Sequence, residues 1–258
     1  MGRLDTLWRL FATGVSFAVF GIGGIVLTIT VFPVITLLVR DRRRRTELAQ
    51  RTVHRVFRVF RGLMVAMGVL DFEAVGVENL RNDRGVLVVA NHPTLLDVVL
   101  LMSLMDRAQC VVKHQIWSNP FMRGVVTATD YIRNDDDPEK LISDCSRSLA
   151  AGNNLIIFPE GSRTIPGRPR QFQRGFASVA VQSRARIRLV TITCVPPMLL
   201  KGEKWYQIPP RRPRFGVKVH ELVDTDELCE DGLRSIAVRR LAARIGARFE
   251  ELLGNVRS

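Results

Sequence analysis

Ring side chains that stack or hydrogen-bond are scarce in this chain: 258 residues hold 2 Tyr and 3 Trp. Acid is short as well, with 38 Lys and Arg against 25 Asp and Glu, a formal charge of +13. That excess calls for an anionic partner: nucleic acid, a phospholipid surface or a phosphate-bearing substrate. Nucleic-acid binders often interleave cations with stacking aromatics. No zinc-finger, RNP or basic-zipper pattern occurs either, so nucleic acid is not expected as a partner. Cys110, Cys145, Cys194 and Cys229 form no CxxC pair and no framework spacing, which reads as free thiols in a reducing cytoplasm. G-x-S-x-G and H-E-x-x-H are both missing, which argues against a serine nucleophile or a zinc hydrolase. No internal repeat or low-complexity linker divides the chain.

What is present begins with a run from Phe11 to Val39 that carries no charge. As a helix it would extend about 43 Å, against a hydrocarbon core of about 30 Å. It can span with tilt, or "GIGG" at 21–24 and Pro33 can break it into a re-entrant hairpin. A cleaved signal peptide fits poorly, because the run is long and no small-residue cleavage site precedes "RDRRRR". Arg40 and Arg42 to Arg45 follow the run, and the positive-inside rule then places the body of the protein on the cytoplasmic face. In the next stretch Val53, Val56, Phe57, Phe60, Leu63 and Met64 share one helical face while Arg51, Arg55 and Arg58 line another. Such a helix suits anionic headgroups, or equally packs on a core with its basic face in water. The expected organisation is a membrane segment at 1–40, a basic amphipathic interfacial helix at 41–70 and one α/β domain at 71–258.

Past residue 70 the pattern alternates. Strands are predicted near 71–77, 86–90, 109–113, 128–132, 154–158, 187–194 and 215–220. Helices are predicted near 94–105, 118–124, 137–151, 174–184 and 232–253. Runs such as "VLVV" and "LIIF" point to a largely buried mixed sheet flanked by helices, an α/β fold preceded by a membrane helix or helical hairpin. In such sheets sites collect at the carboxyl ends of strands, and two polar segments sit there. In "NHPTLLD", Asp97 can reach back to the imidazole of His92, fix its tautomer and leave the other ring nitrogen as a general base. Alone, the pair reads better as a helix cap and a polar helix residue. In "FPEGSRT", Arg163 offers a forked cation for phosphate and Gly161 a close backbone approach to an anion, beside Glu160 and Ser162.

"NHPTLLD" and "FPEGSRT", in that order and with 68 positions from His92 to Glu160, resemble the first and third sequence blocks of the glycerolipid acyltransferase superfamily. "FQRGFASVAVQSRA" at 172–185 resembles the stretch that follows the third block, and Arg133 in "DYIRND" matches the arginine of the second. Ile132 stands where that block commonly has an acid, and "RLVTI" at 188–192 lacks the prolines of the fourth. The resemblance implies acyl transfer from an acyl thioester to a lipid hydroxyl. His92 would deprotonate the hydroxyl, Asp97 would orient His92, and Arg133, Glu160, Gly161, Ser162 and Arg163 would hold the acceptor, with Arg163 on its phosphate. Backbone amides near 160–162 are the candidate oxyanion donors. No metal and no cofactor is expected. Acyl-coenzyme A or acyl carrier protein would be the donor, membrane phospholipids the surroundings, and a lysolipid the acceptor. Lysophosphatidate is the default acceptor, with lyso-ornithine lipid or a glycolipid as alternatives. A non-catalytic protein that binds anionic lipid is the reading from another class.

Overall fold

The computed structural model describes residues 3–135, 137–226 and 233–254. Seven strands form one sheet: β1 (Asp71–Val75), β2 (Leu87–Ala90), β3 (Ala108–Lys113), β4 (Ile132–Asn134), β5 (Asn154–Ile157), β6 (Ile187–Val195) and β7 (Arg214–Val223). Their order is β1-β7-β6-β2-β5-β3-β4. Every neighbouring pair is parallel except β6 with β7, so the sheet is mixed, as the apolar strand runs predicted. β2 is central, flanked by β5 and β6. Successive strand side chains alternate between faces. Val88 and Ala90 accordingly enter the core on one face, and Leu87 and Val89 the core on the other. All four are fully buried, and each of the larger three contributes about 1.5–3 kcal/mol by leaving water.

On one face lie α1 (Arg3–Val26), α2 (Phe32–Leu38), α3 (Arg42–Ala66), α4 (Val77–Asn82), α5 (Asp97–Met102), α6 (His114–Trp117) and α7 (Arg123–Ala128). On the other lie α8 (Pro138–Ala150), α9 (Gly175–Ser183) and a closing helix, α10 (Arg234–Gly254). All seven predicted strands form, with β4 displaced a few residues late. Thr129 ends α7, its hydroxyl turned back to Val125 O, and Asp130 takes a left-handed turn (φ 56°) before the strand can start. Most of the predicted helix at 118–124 is the turn at 118–122 between α6 and α7, and α4 had no clear signal. Position 232 of the predicted closing helix and Cys229 lie outside the described residues.

The N-terminal run stays helical from Arg3 to Leu38, so the hairpin does not form. A π-helical turn at Leu27–Val31 bridges α1 and α2 immediately before Pro33, where the missing proline N–H interrupts the regular ladder. Gly21 and Gly24 of "GIGG" serve packing instead of breakage. A Cβ on Gly24 would strike the Phe121 carbonyl, and one on Gly124 would strike Thr28, so the helix lies tight against the loop before α7. One stripe of α1 faces inward, including Arg9, Ala12, Thr13 and Ser16. Arg9 donates to the carbonyls of Pro209 (2.9 Å) and Pro210 (3.0 Å), which ties the "PPRRPR" loop to the helix. The opposite face leaves Leu7, Phe11, Ile22, Ile29, Leu37 and Leu38 exposed. This run is long and apolar enough to cross a membrane by length and composition. In α3 the apolar face, with Val53, Phe57, Phe60 and Met64, packs on the core, while Arg51, Arg55 and Arg58 face out.

Candidate active site

The chain leaves β2 through Asn91, whose carboxamide pairs with the backbone of β6: Nδ2 donates to Ile192 O (2.8 Å) and Oδ1 accepts from Ile192 N (2.7 Å). This side-chain rung fixes the direction in which His92 emerges. His92 stacks on Phe158 with ring centroids 4.2 Å apart. Its Nδ1 lies 2.8 Å from Asp97 Oδ2. Asp97 is completely buried and also accepts from Thr94 N at Oδ2 (2.7 Å) and from Thr94 Oγ1 at Oδ1 (2.5 Å). The helix begins at Asp97 instead of near Thr94 because the carboxylate captures the amide and hydroxyl of Thr94, holding 94–96 as a turn. Burial pushes the Asp97 carboxyl above its usual range, and the hydrogen bonds from His92 and Thr94 act in the opposite direction.

The second segment locks onto the first. Glu160 Oε1 accepts from His92 N (3.0 Å) and from Thr164 Oγ1 (3.0 Å), and Thr164 N donates to His92 O (2.7 Å). Glu160, predicted to hold the acceptor, therefore spends this oxygen on the backbone that carries the base. Gly161 has φ 64°, a conformation natural to glycine, and its N–H donates to Phe158 O (3.0 Å). Its N–H is thus already engaged within the turn, which removes it from the candidate oxyanion donors. Arg163 Nη1 donates to the carbonyls of Leu199 (3.0 Å) and Leu200 (2.8 Å). Arg133 pairs with Asp135 (2.5 Å) on β4 and does not line the cavity beside His92, although its neighbour Asn134 does.

That cavity measures about 750 Å³. Phe17 and Phe20 of α1, with Phe57, Phe60 and Met64 of α3, form its wall on one face of the sheet. It also reaches Ile142, Cys145, Phe176 and Val179 on the opposite face, past the carboxyl ends of the central strands. His92, Gly161, Ser162, Arg163, Lys113 and Lys201 give it a polar rim. The size is that of a typical small-ligand site, and the lining suits aliphatic chains with an anionic end.

Lys201 carries a signal that sequence reasoning missed. It follows Leu199, a non-glycine residue in the left-handed region (φ 53°), and its Nζ lies 3.3 Å from Ser162 Oγ. Leu199 O accepts from both Leu95 N (3.1 Å) and Arg163 Nη1, so one carbonyl joins three segments at the rim. Only the tertiary fold brings residue 201 beside 162. Two of the other three histidines serve structure: His54 Nδ1 lies 3.1 Å from Met102 O, and His220 pairs with Thr191 (2.8 Å), while His114 is exposed at the start of α6.

Residues 71–197 match the family model described as Acyltransferase. Among curated relatives, a 1-acyl-sn-glycerol-3-phosphate acyltransferase from Cocos nucifera is 32% identical over 41% of this chain and 36% of its own length. The chloroplastic 1-acyl-sn-glycerol-3-phosphate acyltransferase BAT2 of Brassica napus is 23% identical over 91% of this chain and 66% of its own. The chain thus spans between about a third and two thirds of these relatives. The crystal structure of the 1-acyl-sn-glycerophosphate acyltransferase PlsC from Thermotoga maritima superposes with a TM-score of 0.70 at 21% identity, covering 97% of this chain and 98% of that one. The fold is shared, and the resemblance carried by "NHPTLLD" and "FPEGSRT" falls inside the matched region.

Proposed function

We propose that this chain, which resembles the glycerolipid acyltransferases over residues 71–197, moves a fatty acyl group from an acyl thioester to the hydroxyl of a lysophospholipid. The acceptor is 1-acylglycerol-3-phosphate and the product phosphatidic acid. The observation that carries this reading is the 2.8 Å pair of His92 with a fully buried Asp97, set at the rim of an apolar cavity. Asp97 engages Nδ1, which leaves Nε2 of His92 to take the proton of the acceptor hydroxyl. The oxygen attacks the thioester carbonyl, the carbon–sulfur bond breaks, and the departing thiolate receives that proton from His92. No acyl-enzyme intermediate forms. Glu160 and Asn91 hold the histidine's backbone, and the cations at the rim meet the acceptor's phosphate.

The reaction takes place at a membrane, with the catalytic domain on the cytoplasmic face. Contacts from Arg9 to Phe32 bind the N-terminal run along the body for about 35 Å of helix. A perpendicular crossing would drag the body into hydrocarbon, so the run lies in the interface with its apolar face in one leaflet. The test is acyl transfer in vesicles by wild type and His92→Ala. Acceptors are lysophosphatidate, lyso-ornithine lipid, a glycolipid and a neutral monoacylglycerol, with donors on coenzyme A and on acyl carrier protein. Lysophosphatidate turned over by wild type, with the rate cut at least 10³-fold in His92→Ala, supports the reading. Unchanged activity in His92→Ala, or lipid binding without turnover of any acceptor, overturns it.

A further inference from the structure

Behind the catalytic turn lies a second cavity, of about 340 Å³, between the segment 170–174 and α10. Three arginines line it, Arg170, Arg174 and Arg239, against one carboxylate, Glu250. Arg170 is bound to Glu250 at 3.2 Å, yet its Nε is buried and has no hydrogen-bond partner in the protein. Among the described residues, Arg174 and Arg239 have no anionic partner. Room exists because α10 presents Ala243 and Gly246 there. Like charges gathered around a concavity repel one another, and an anion seated among them removes that cost. Nothing in the reaction so far uses this site.

Its position supplies the ligand. Phe172 and Arg174 face this cavity, whereas Gln173 and Gly175, next to them in the chain, line the larger cavity that holds His92. Gln173 N donates to Pro159 O at 2.7 Å, so the same segment is hydrogen-bonded to the catalytic turn. One thickness of chain separates the two cavities. A thioester with its carbonyl at His92 and its acyl chain in the apolar cavity has this segment beside its reacting end, which gives its other end a short path to the arginines. The docking of an acidic carrier protein needs a broad basic surface, whereas a concavity of this size takes a small molecule's phosphate groups. Arginine forks match phosphate oxygens in pairs.

We propose that the cavity formed by Arg170, Arg174 and Arg239 binds the phosphates of a coenzyme A thioester, which makes coenzyme A the donor's carrier. The inference rests on the acyl-transfer reading, but its test does not need turnover. Coenzyme A is titrated calorimetrically into the full chain in detergent, as wild type, Arg174→Gln, Arg239→Gln and Ala243→Glu. The last variant adds a carboxylate at an exposed, helix-compatible position and leaves every arginine in place. Each glutamine variant is expected to weaken binding about tenfold, and Ala243→Glu at least as much. KM for acyl-coenzyme A should rise in parallel, against less than twofold for the acyl-pantetheine thioester, which lacks the phosphates. Coenzyme A binding unchanged in all three variants, or an equal rise of KM for acyl-pantetheine, overturns the proposal. Wild type that acylates a lysolipid from acyl carrier protein but binds no coenzyme A overturns it too and leaves the reaction standing. Wild type that binds coenzyme A through these residues but acylates nothing would support the site and sink the reaction.

Discussion

Replacing Asp97 by Asn separates two jobs of the carboxylate, holding His92 and supplying charge. Thr94 N donates to Oδ2, the same oxygen that meets His92 Nδ1, and a backbone N–H cannot reverse its role. The asparagine must therefore place its carbonyl oxygen there and its amino group toward Thr94 Oγ1, which can turn to accept. Nδ1 of His92 then still donates to an oxygen, and the tautomer survives. What is lost is the negative charge beside a developing imidazolium, worth about 1.5–3 kcal/mol for a charge-assisted bond. The expected fall in kcat is thus about 10²-fold, well short of the roughly 10⁴-fold that a wrong tautomer costs in a catalytic triad. Single-turnover acyl transfer at saturating acceptor measures it. The variant should be no less stable than wild type at neutral pH, because the buried charge is gone. Burial raises the Asp97 carboxyl, so the native state binds its proton at a higher pH than the unfolded chain does. Wild type therefore gains stability relative to Asp97→Asn as pH falls through that range toward ordinary carboxylate values, and melting curves taken across it will show the difference. More than a third of wild-type activity in the variant would refute the role given to the charge. A loss near 10⁴-fold would refute the role given to Thr94.

Lys201→Ala should raise KM for a phosphate-bearing acceptor about tenfold and leave a neutral monoacylglycerol within twofold, with Lys201→Arg restoring most of the difference. Met64 is almost wholly buried and lines the main cavity. Met64→Trp should fill part of it and shift the preferred chain toward shorter acyl groups in a competition assay, with little change in kcat for those. Arg188 of β6 is bound to Asp83, in the loop before β2, through both Nε (2.7 Å) and Nη2 (2.8 Å) in a buried fork. Arg188→Ala strands that carboxylate and should cost about 3–5 kcal/mol in denaturant titration, a cost that Asp83→Asn in the same chain will partly relieve.

The strands were legible because burial on both faces selects short continuous apolar runs, as in Leu87–Ala90. The two polar blocks were legible for a related reason: their residues follow such runs directly. Roles within the blocks were harder to read. Glu160 and Arg163 look from sequence like substrate ligands, yet Glu160 meets the backbone of His92 and Arg163 the carbonyls of 199 and 200. Those partners lie far along the chain from them, and only the crossovers of the sheet make them neighbours. The contacts of Gly24 with the Phe121 carbonyl and of Gly124 with Thr28 were equally hidden. A glycine pair in sequence signals a break or a close approach with the same letters, and the partner surface decides which.

The long apolar N-terminal helix is also masonry. Thr13, Ser16, Phe17 and Phe20 belong at once to that helix and to the wall of the main cavity. Cutting away residues 3–38 would unroof the main cavity and open its apolar lining to water. On the proposed placement in a leaflet, the thickness and lateral tension of the surrounding lipid would bear directly on the shape of that cavity. Catalytic constants would then be properties of the protein and its membrane taken together.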